Sequence, residues 1–172
     1  SKFEQDAQID YITKDTDKLL ESTLMGLNRV QKIVNDLRTF ARDGIDEDER
    51  MKVEDVLESI LGIVNNEIKY KAEIRKDYGD TPPVKCSSLR LGQVFINLFV
   101  NAAQAIEDKG IIGIKTYAKN NEVYVAISDT GKGIAPENIN QIFDPFFTTK
   151  PIGQGTGLGL SVSYEIVKNH GG

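Results

Sequence analysis

Positions that favour burial recur along this chain in two rhythms. Over the first forty residues the step is three or four: Leu20, Thr23, Leu27, Val30, Val34, Leu37 and Ala41, with Ile9, Thr13 and Thr16 extending the series backward. That heptad spacing, with no proline and only Gly26 as glycine between residues 3 and 42, predicts one long helix. A helix of about 40 residues would reach about 60 Å, more than a small domain can cover. The seam therefore calls for a partner helix, in a dimer or a hairpin of a larger bundle. The alternative is a helix lying along its own domain.

Residues 43–49, DGIDEDE, read as a solvated acidic linker. The helical rhythm returns over 53–70, with Val56, Leu57, Ile60, Leu61, Val64 and Ile68 on one face. The period then drops toward two. Residues 72–78 predict a strand, 79–83 a turn, and 84–86 a short strand. Ser87 or Ser88 caps a further helix whose apolar face includes Leu91, Val94, Phe95, Leu98, Ala102 and Ile106. Residues 111–118 and 122–128 alternate, and Asn120 and Asn121 between them predict a hairpin with Val123, Val125 and Ile127 on one side. The stretch 129–150 is irregular except for a helical turn at 136–142, with Pro136 in its first turn. A last helix spans 158–168 and ends at Asn169, His170, Gly171 and Gly172. Helices and strands mix without strict βαβ alternation. The expected class is α+β: a two-layer α/β sandwich, helices on one face of a mixed sheet, preceded by a coiled-coil-like helix. The expected organisation is a long dimerisation helix at 1–42, the linker at 43–49 and a folded domain at 50–172.

Charge narrows the partners. The 172 residues carry 21 basic and 26 acidic side chains, a net −5, so nucleic acid is not an expected partner. The one cysteine, Cys86, cannot form an internal disulfide; it reads as a packed or strand-end residue in a reducing, cytoplasmic compartment. No apolar run approaches the roughly 20 residues that cross a bilayer, and no secretory signal opens the chain. The first residue is Ser1 rather than Met, so a longer parent protein, with or without a membrane anchor, is expected.

Three groups of residues carry candidate chemistry. Asn97 and Asn101 lie four apart on one helical face among apolar neighbours. Two amide oxygens placed so can ligate a hard cation such as Mg²⁺, which binds jointly with phosphates; the alternative is two capping or surface asparagines. Asp129 ends a strand beside Gly131 and Gly133. A carboxylate there can accept a hydrogen bond from the exocyclic amine of adenine and repels the carbonyl that guanine presents; the alternative is an ordinary Asp-Thr-Gly turn. Gly153, Gly155, Gly157 and Gly159 precede the last helix, where backbone N–H groups can cradle phosphate. The run is neither a Walker loop nor a dinucleotide fingerprint. Thr148, Thr149 and Lys150 add donors and a cation, and burial of Phe146 and Phe147 is expected to anchor their loop.

In this order the segments INLFVNAAQAI, DTGKGI, DPFFTTK and GQGTGLGL resemble the asparagine, first glycine, phenylalanine and second glycine boxes of bacterial sensor histidine kinases. These kinases share a superfamily with DNA gyrase, the heat-shock chaperone ATPases and the mismatch-repair ATPases. The resemblance covers about residues 53–172; upstream, LNRVQKIVNDLRTFAR resembles the second helix of such kinases' dimerisation and phosphoacceptor domain. It implies a Bergerat-type fold with three helices on a mixed sheet, and ATP with Mg²⁺ between helix and lid. Asn97 and Asn101 would hold metal and phosphates and, with Lys150, form the catalytic set. Asp129 would meet the adenine amine, and Gly131 and Gly133 the ring edge. Ala105, Ile134, Phe146, Thr149, Thr156, Leu158 and Leu160 would complete the nucleotide site, with Lys150 and the glycines from Gly153 to Gly159, among them Gly155, Gly157 and Gly159, serving lid and phosphates. The implied partners are a second copy, through the N-terminal helix, and a response regulator receiver domain.

Two departures stand out. The phosphoaccepting histidine in its His-Glu-x-x-x-Pro setting is missing; the only histidine, His170, sits at a helix end and is expected to help terminate it. The domain also stops short of the further strands usual in the family. The resemblance implies transfer of the ATP γ-phosphoryl group to a histidine outside this chain, with no self-phosphorylation. The alternative is a gyrase-type ATP-hydrolysing clamp, whose members carry a glutamate base where Asn97 stands; a third reading is a scaffold that only dimerises.

Overall fold

The computed structural model describes Thr16, Leu19, Leu20, Thr23, Leu24, Gly26, Leu27, residues 49–151 and residues 155–172. The seven N-terminal positions are helical, and the Thr23 hydroxyl donates to the Leu19 carbonyl at 2.7 Å, one turn back. Leu20 and Leu27, two positions of the heptad seam, are 57% and 60% exposed. The rest of the expected long helix and the boundary at 42 lie outside the described residues. Glu49, expected in the linker, instead opens a strand.

The elements run β1 (Glu49–Met51), α1 (Val53–Ile68), β2 (Ala72–Tyr78), β3 (Val84–Cys86), α2 (Ser88–Ala105), β4 (Gly110–Lys119), β5 (Glu122–Asp129), a 3₁₀ turn (Pro136–Gln141) and α3 (Gly159–Asn169). Ser87 caps α2, its hydroxyl accepting the Arg90 N–H, which satisfies one orphan donor of the first turn. Asn120 and Asn121 both take left-handed φ, +53° and +65°, as a two-residue hairpin turn demands. Lys71 reaches across to the other end of α2, donating to the carbonyls of Ile106 and Glu107, where a cation also meets the negative end of the helix dipole.

β4 is the middle strand of a three-stranded mixed sheet, parallel to β2 and antiparallel to β5. β1 and β3 form a separate antiparallel pair. α2 packs between α1 and α3, and the helices cover the face carrying Ile112, Ile114 and Thr116. Leu57, Phe99, Ile112 and Ile114 are the large apolar side chains at the centre, each 0–1% exposed. Truncating Phe99 there costs about 3–5 kcal/mol by transfer and cavity together. The buried stripe of α2 is Val94, Phe95, Phe99, Ala102 and Ala103, whereas Leu91 and Leu98, expected to face the core, are half-buried. Contact with α1, α3 and the sheet rotates the burial away from the single stripe that an amphipathic pattern suggests. Cys86 is buried at the end of β3.

Glu54 ties α1 to the sheet. It accepts the Thr81 hydroxyl at 2.8 Å, and Thr81 and Thr116 are themselves buried. Burial pushes the Glu54 carboxyl up, but hydrogen bonds from Thr116 and Thr81 outweigh it and hold the group below its ordinary range.

Candidate functional site

The second half of α2 supplies one wall of the site. Asn97, Asn101 and Ala105 follow at steps of four on one face, all three half-buried. The Asn97 Nδ2 donates to the Gly159 carbonyl at 3.1 Å and to the Ser163 hydroxyl at 3.2 Å. A carbonyl can only accept, so the orientation of the amide is fixed. Its nitrogen is committed to α3, and the oxygen is the atom it can offer a cation. Ser163 donates in turn to the Gly159 carbonyl at 2.8 Å, closing a small polar cluster that locks the start of α3 onto α2.

Asn101 turns its oxygen to a cation already. Its Oδ1 accepts from the Lys150 ammonium at 2.9 Å, and Gln104 Oε1 accepts from the same ammonium. Gln104 stands one helical turn past Asn101 and was not among the expected site residues; its i+3 spacing was the available signal. The oxygen donor set fits Mg²⁺, a hard cation that keeps waters and shares its coordination with phosphates. Among the described residues there is no cluster of three or more His, Cys, Asp or Glu side chains that could hold a metal unaided.

The opposite end is held by backbone. Asp129 closes β5 with an exposed carboxylate whose Oδ1 accepts the Gly131 N–H at 2.8 Å. Thr130 clamps the strand end to β4: its Oγ1 accepts the Ile111 N–H at 2.9 Å, and its own N–H donates to the Ile111 carbonyl. Gly131 then lies directly on Ala105. A Cβ at position 131 would stand 2.7 Å from the Ala105 backbone, a distance that no side chain tolerates. The Lys132 N–H donates to the Ala105 carbonyl at 3.1 Å. The first glycine is thus a contact requirement, and it brings Asp129 beside the end of α2.

The loop after the 3₁₀ turn is pinned where it leaves and returns. The Phe146 N–H donates to the Gly157 carbonyl at 2.9 Å. Both residues are left-handed, φ +69° and +70°, and a Cβ on Gly157 would fall 2.3 Å from the Phe146 carbonyl carbon. Phe146 does not anchor the loop by burial as expected. Its ring is 63% exposed, because the φ that lets its N–H reach Gly157 turns the side chain outward; Phe147 is half-buried instead. Between the pins, the Lys150 N–H donates to the Thr148 hydroxyl at 3.2 Å, and Gly155 lies against that hydroxyl.

The remaining expected residues spread around this frame. Thr156 Oγ1 accepts the Leu158 N–H at 3.3 Å, and Leu158 is buried in the core cluster. Leu160 is half-buried on α3, Thr149 and Gly133 are exposed, and Ile134 is 54% exposed. Gly153 lies outside the described residues. His170 ends α3 as expected, and both its ring nitrogens are engaged: Nδ1 with the Ile166 carbonyl at 2.7 Å, and Nε2 accepting the Ser87 N–H at 3.2 Å. Its imidazole is a structural link between the end of α3 and the start of α2. No helix among the described residues is long and apolar enough to cross a membrane.

Comparison with known proteins agrees with this frame. The family described as histidine kinase-, DNA gyrase B-, and HSP90-like ATPase matches residues 86–172. The sensor histidine kinase ZraS of Escherichia coli K12 is 43% identical over 101 residues, covering 58% of this chain and 21% of that protein. The sensor kinase CckA of Brucella abortus is 34% identical over 161 residues, covering 84% of this chain and 17% of that protein. The chain therefore spans about a fifth of the length of these curated relatives. Among solved structures, the histidine kinase ThkA in complex with the response regulator protein TrrA superimposes with a TM-score of 0.70 at 26% identity, covering 86% of this chain and 42% of that one. With half its length matched and its fold shared with solved histidine kinases, the chain belongs to the histidine kinase-, DNA gyrase B- and HSP90-like ATPase family.

Proposed function

We propose that this chain is the ATP-binding kinase core of a two-component sensor histidine kinase, transferring the γ-phosphoryl group of ATP to a histidine outside this chain. The observation that carries the reading is Asn97. It stands on the site face of α2, fixed by Gly159 and Ser163, and a carboxamide cannot take a proton from water as the glutamate base of a hydrolysing clamp does. The matched sensor kinases, which extend over most of the chain, support the same choice.

In this reading the adenine amine donates to Asp129, whose other oxygen is held by Gly131. Guanine presents a carbonyl there and is rejected by charge. Asn101 and Asn97 offer their amide oxygens to Mg²⁺, which when bound would neutralise phosphate charge and orient the transferring group. Lys150, already within reach of Asn101, supplies a cation for the phosphates, and the backbone N–H groups at the start of α3, around Gly157 and Gly159, supply neutral donors. Transfer is then mostly positioning and charge stabilisation, so it waits for an in-line acceptor. His170 is not that acceptor, with both ring nitrogens engaged. The N-terminal helix pairs with a second copy through its heptad seam, a cytoplasmic receiver domain takes the phosphoryl group onward, and light scattering of Leu27→Asp tests the pairing.

The test of the kinase reading is transfer to a supplied acceptor. Mixed with γ-labelled ATP, Mg²⁺ and a separate helix carrying the His-Glu-x-x-x-Pro element, the chain should place acid-labile label on that helix and none on itself; Asn101→Ala should remove it. Rapid multiple-turnover hydrolysis without acceptor, or label on this chain lost in His170→Gln, would overturn the reading.

A further inference from the structure

Lys150 sits on the loop pinned by Phe146 and Gly157, yet its ammonium crosses to α2 and rests between two amide oxygens, Asn101 Oδ1 and Gln104 Oε1. One of these, Asn101, is the atom assigned above to Mg²⁺. An ammonium and a divalent ion held on the same amide oxygen would stand within a few ångström of each other and repel, so a metal arriving there competes with the ammonium. Gln104 is surface-exposed, takes no part in the core, and has its oxygen on this cation.

We infer that Gln104 is a positioning residue of the nucleotide site: with Asn101 it holds the Lys150 ammonium until nucleotide binds, and arrival of Mg²⁺ with nucleotide draws that ammonium away from Asn101. This rests on the reading of Asn101 as a metal ligand. The consequence is a coupling between metal and loop. While the ammonium is latched, the loop segment around Lys150 is fastened to α2 as well as closed on itself by the Phe146–Gly157 bond. When metal takes the Asn101 oxygen, the latch loses one of these two amide acceptors, and the phosphates that come with the metal draw the Lys150 ammonium toward them. The loop thus responds to the metal–nucleotide complex rather than to nucleotide alone.

Amide hydrogen exchange at Lys150, whose N–H donates to the Thr148 hydroxyl, resolved by NMR on the full chain, reads the latch. Without nucleotide, Gln104→Ala should speed exchange at this amide about threefold or more, the scale expected for a solvent-accessible charge-assisted bond. Lys150→Met should do the same, and the two together should add nothing further. Gln104→Glu, which keeps an acceptor oxygen for the ammonium, should restore protection. With saturating Mg²⁺ and ADP, wild type and Gln104→Ala should converge. Equal exchange of wild type and Gln104→Ala without nucleotide, no rescue by Gln104→Glu, or a difference that persists under Mg²⁺–ADP would each overturn the inference. Calorimetry on Asn101→Ala separates the two layers: unchanged affinity for Mg²⁺–ADP would take down the metal assignment and the displacement with it, even if the latch without nucleotide were seen.

Discussion

The Asp129 end of the site is held by backbone, the Asn101 end by side chains. Around Asp129, Gly131 packs on Ala105 with no room for a Cβ, and the N–H groups of Thr130 and Lys132 tie the loop to the carbonyls of Ile111 in β4 and Ala105 in α2. Around Asn101, the ties are the long side chains of Lys150 and Gln104. Main-chain contacts of this kind have no alternative rotamer, whereas a lysine ammonium can leave its acceptors for others at little cost. In the proposed function, the first end would meet a rigid ring, and the second a metal and phosphates that come and go.

Breaking the rigid end should have the largest effect. Gly131→Val forces a side chain into the Ala105 backbone, and overpacking of this kind costs about 1–3 kcal/mol. Nucleotide affinity should fall by about 10- to 100-fold with and without Mg²⁺, measured by calorimetry. Asp129→Asn comes next. Loss of a charge-assisted hydrogen bond costs about 1.5–3 kcal/mol, and discrimination between ATP and GTP should narrow with it; equal ATP affinity in both proteins would contradict the assignment. Asn97→Asp tests the α2–α3 junction. A carboxylate has no donor for the Gly159 carbonyl, and leaving part-buried groups mismatched costs about 1–3 kcal/mol, so the melting temperature should fall.

The smallest effect should come from a site remote from both ends. Glu54 is held below its ordinary range when folded, so its contribution to stability is present above the unfolded-state pKa. It is lost as pH falls through the folded-state value. Glu54→Gln should flatten that acid limb in a pH series of thermal melts and leave nucleotide affinity alone.

Much of this frame is legible in residue order. Helical rhythm located α1 and α3, alternation located β4 and β5, and Asn120–Asn121 marked the turn between them, because each of these signals is local. β1 was not legible: its three residues, Glu49–Met51, are defined by pairing with β3 some 35 positions away. The outward turn of Phe146 was equally hidden, since it follows from a left-handed φ set by a bond to Gly157. Within the candidate site, glycine spacing marked these loops but not the packing that requires glycine there. Gly131 is there to meet Ala105, and Asn97 spends its nitrogen on α3. Gln104 escaped notice because a glutamine on an exposed helix face acquires meaning only when Lys150 is found against it.

The contrast between the two ends can be tested in a single set of titrations: ADP binding by calorimetry, with Mg²⁺ and with chelator, for wild type, Asp129→Asn and Asn101→Ala. Asp129→Asn should weaken binding by the same factor in both conditions, since the ring is read without the metal. Asn101→Ala should match wild type in chelator and lose the increment that Mg²⁺ adds. If both variants lost affinity alike in both conditions, the site would be one undivided unit, and a backbone-held ring end set against a metal-responsive phosphate end would be wrong.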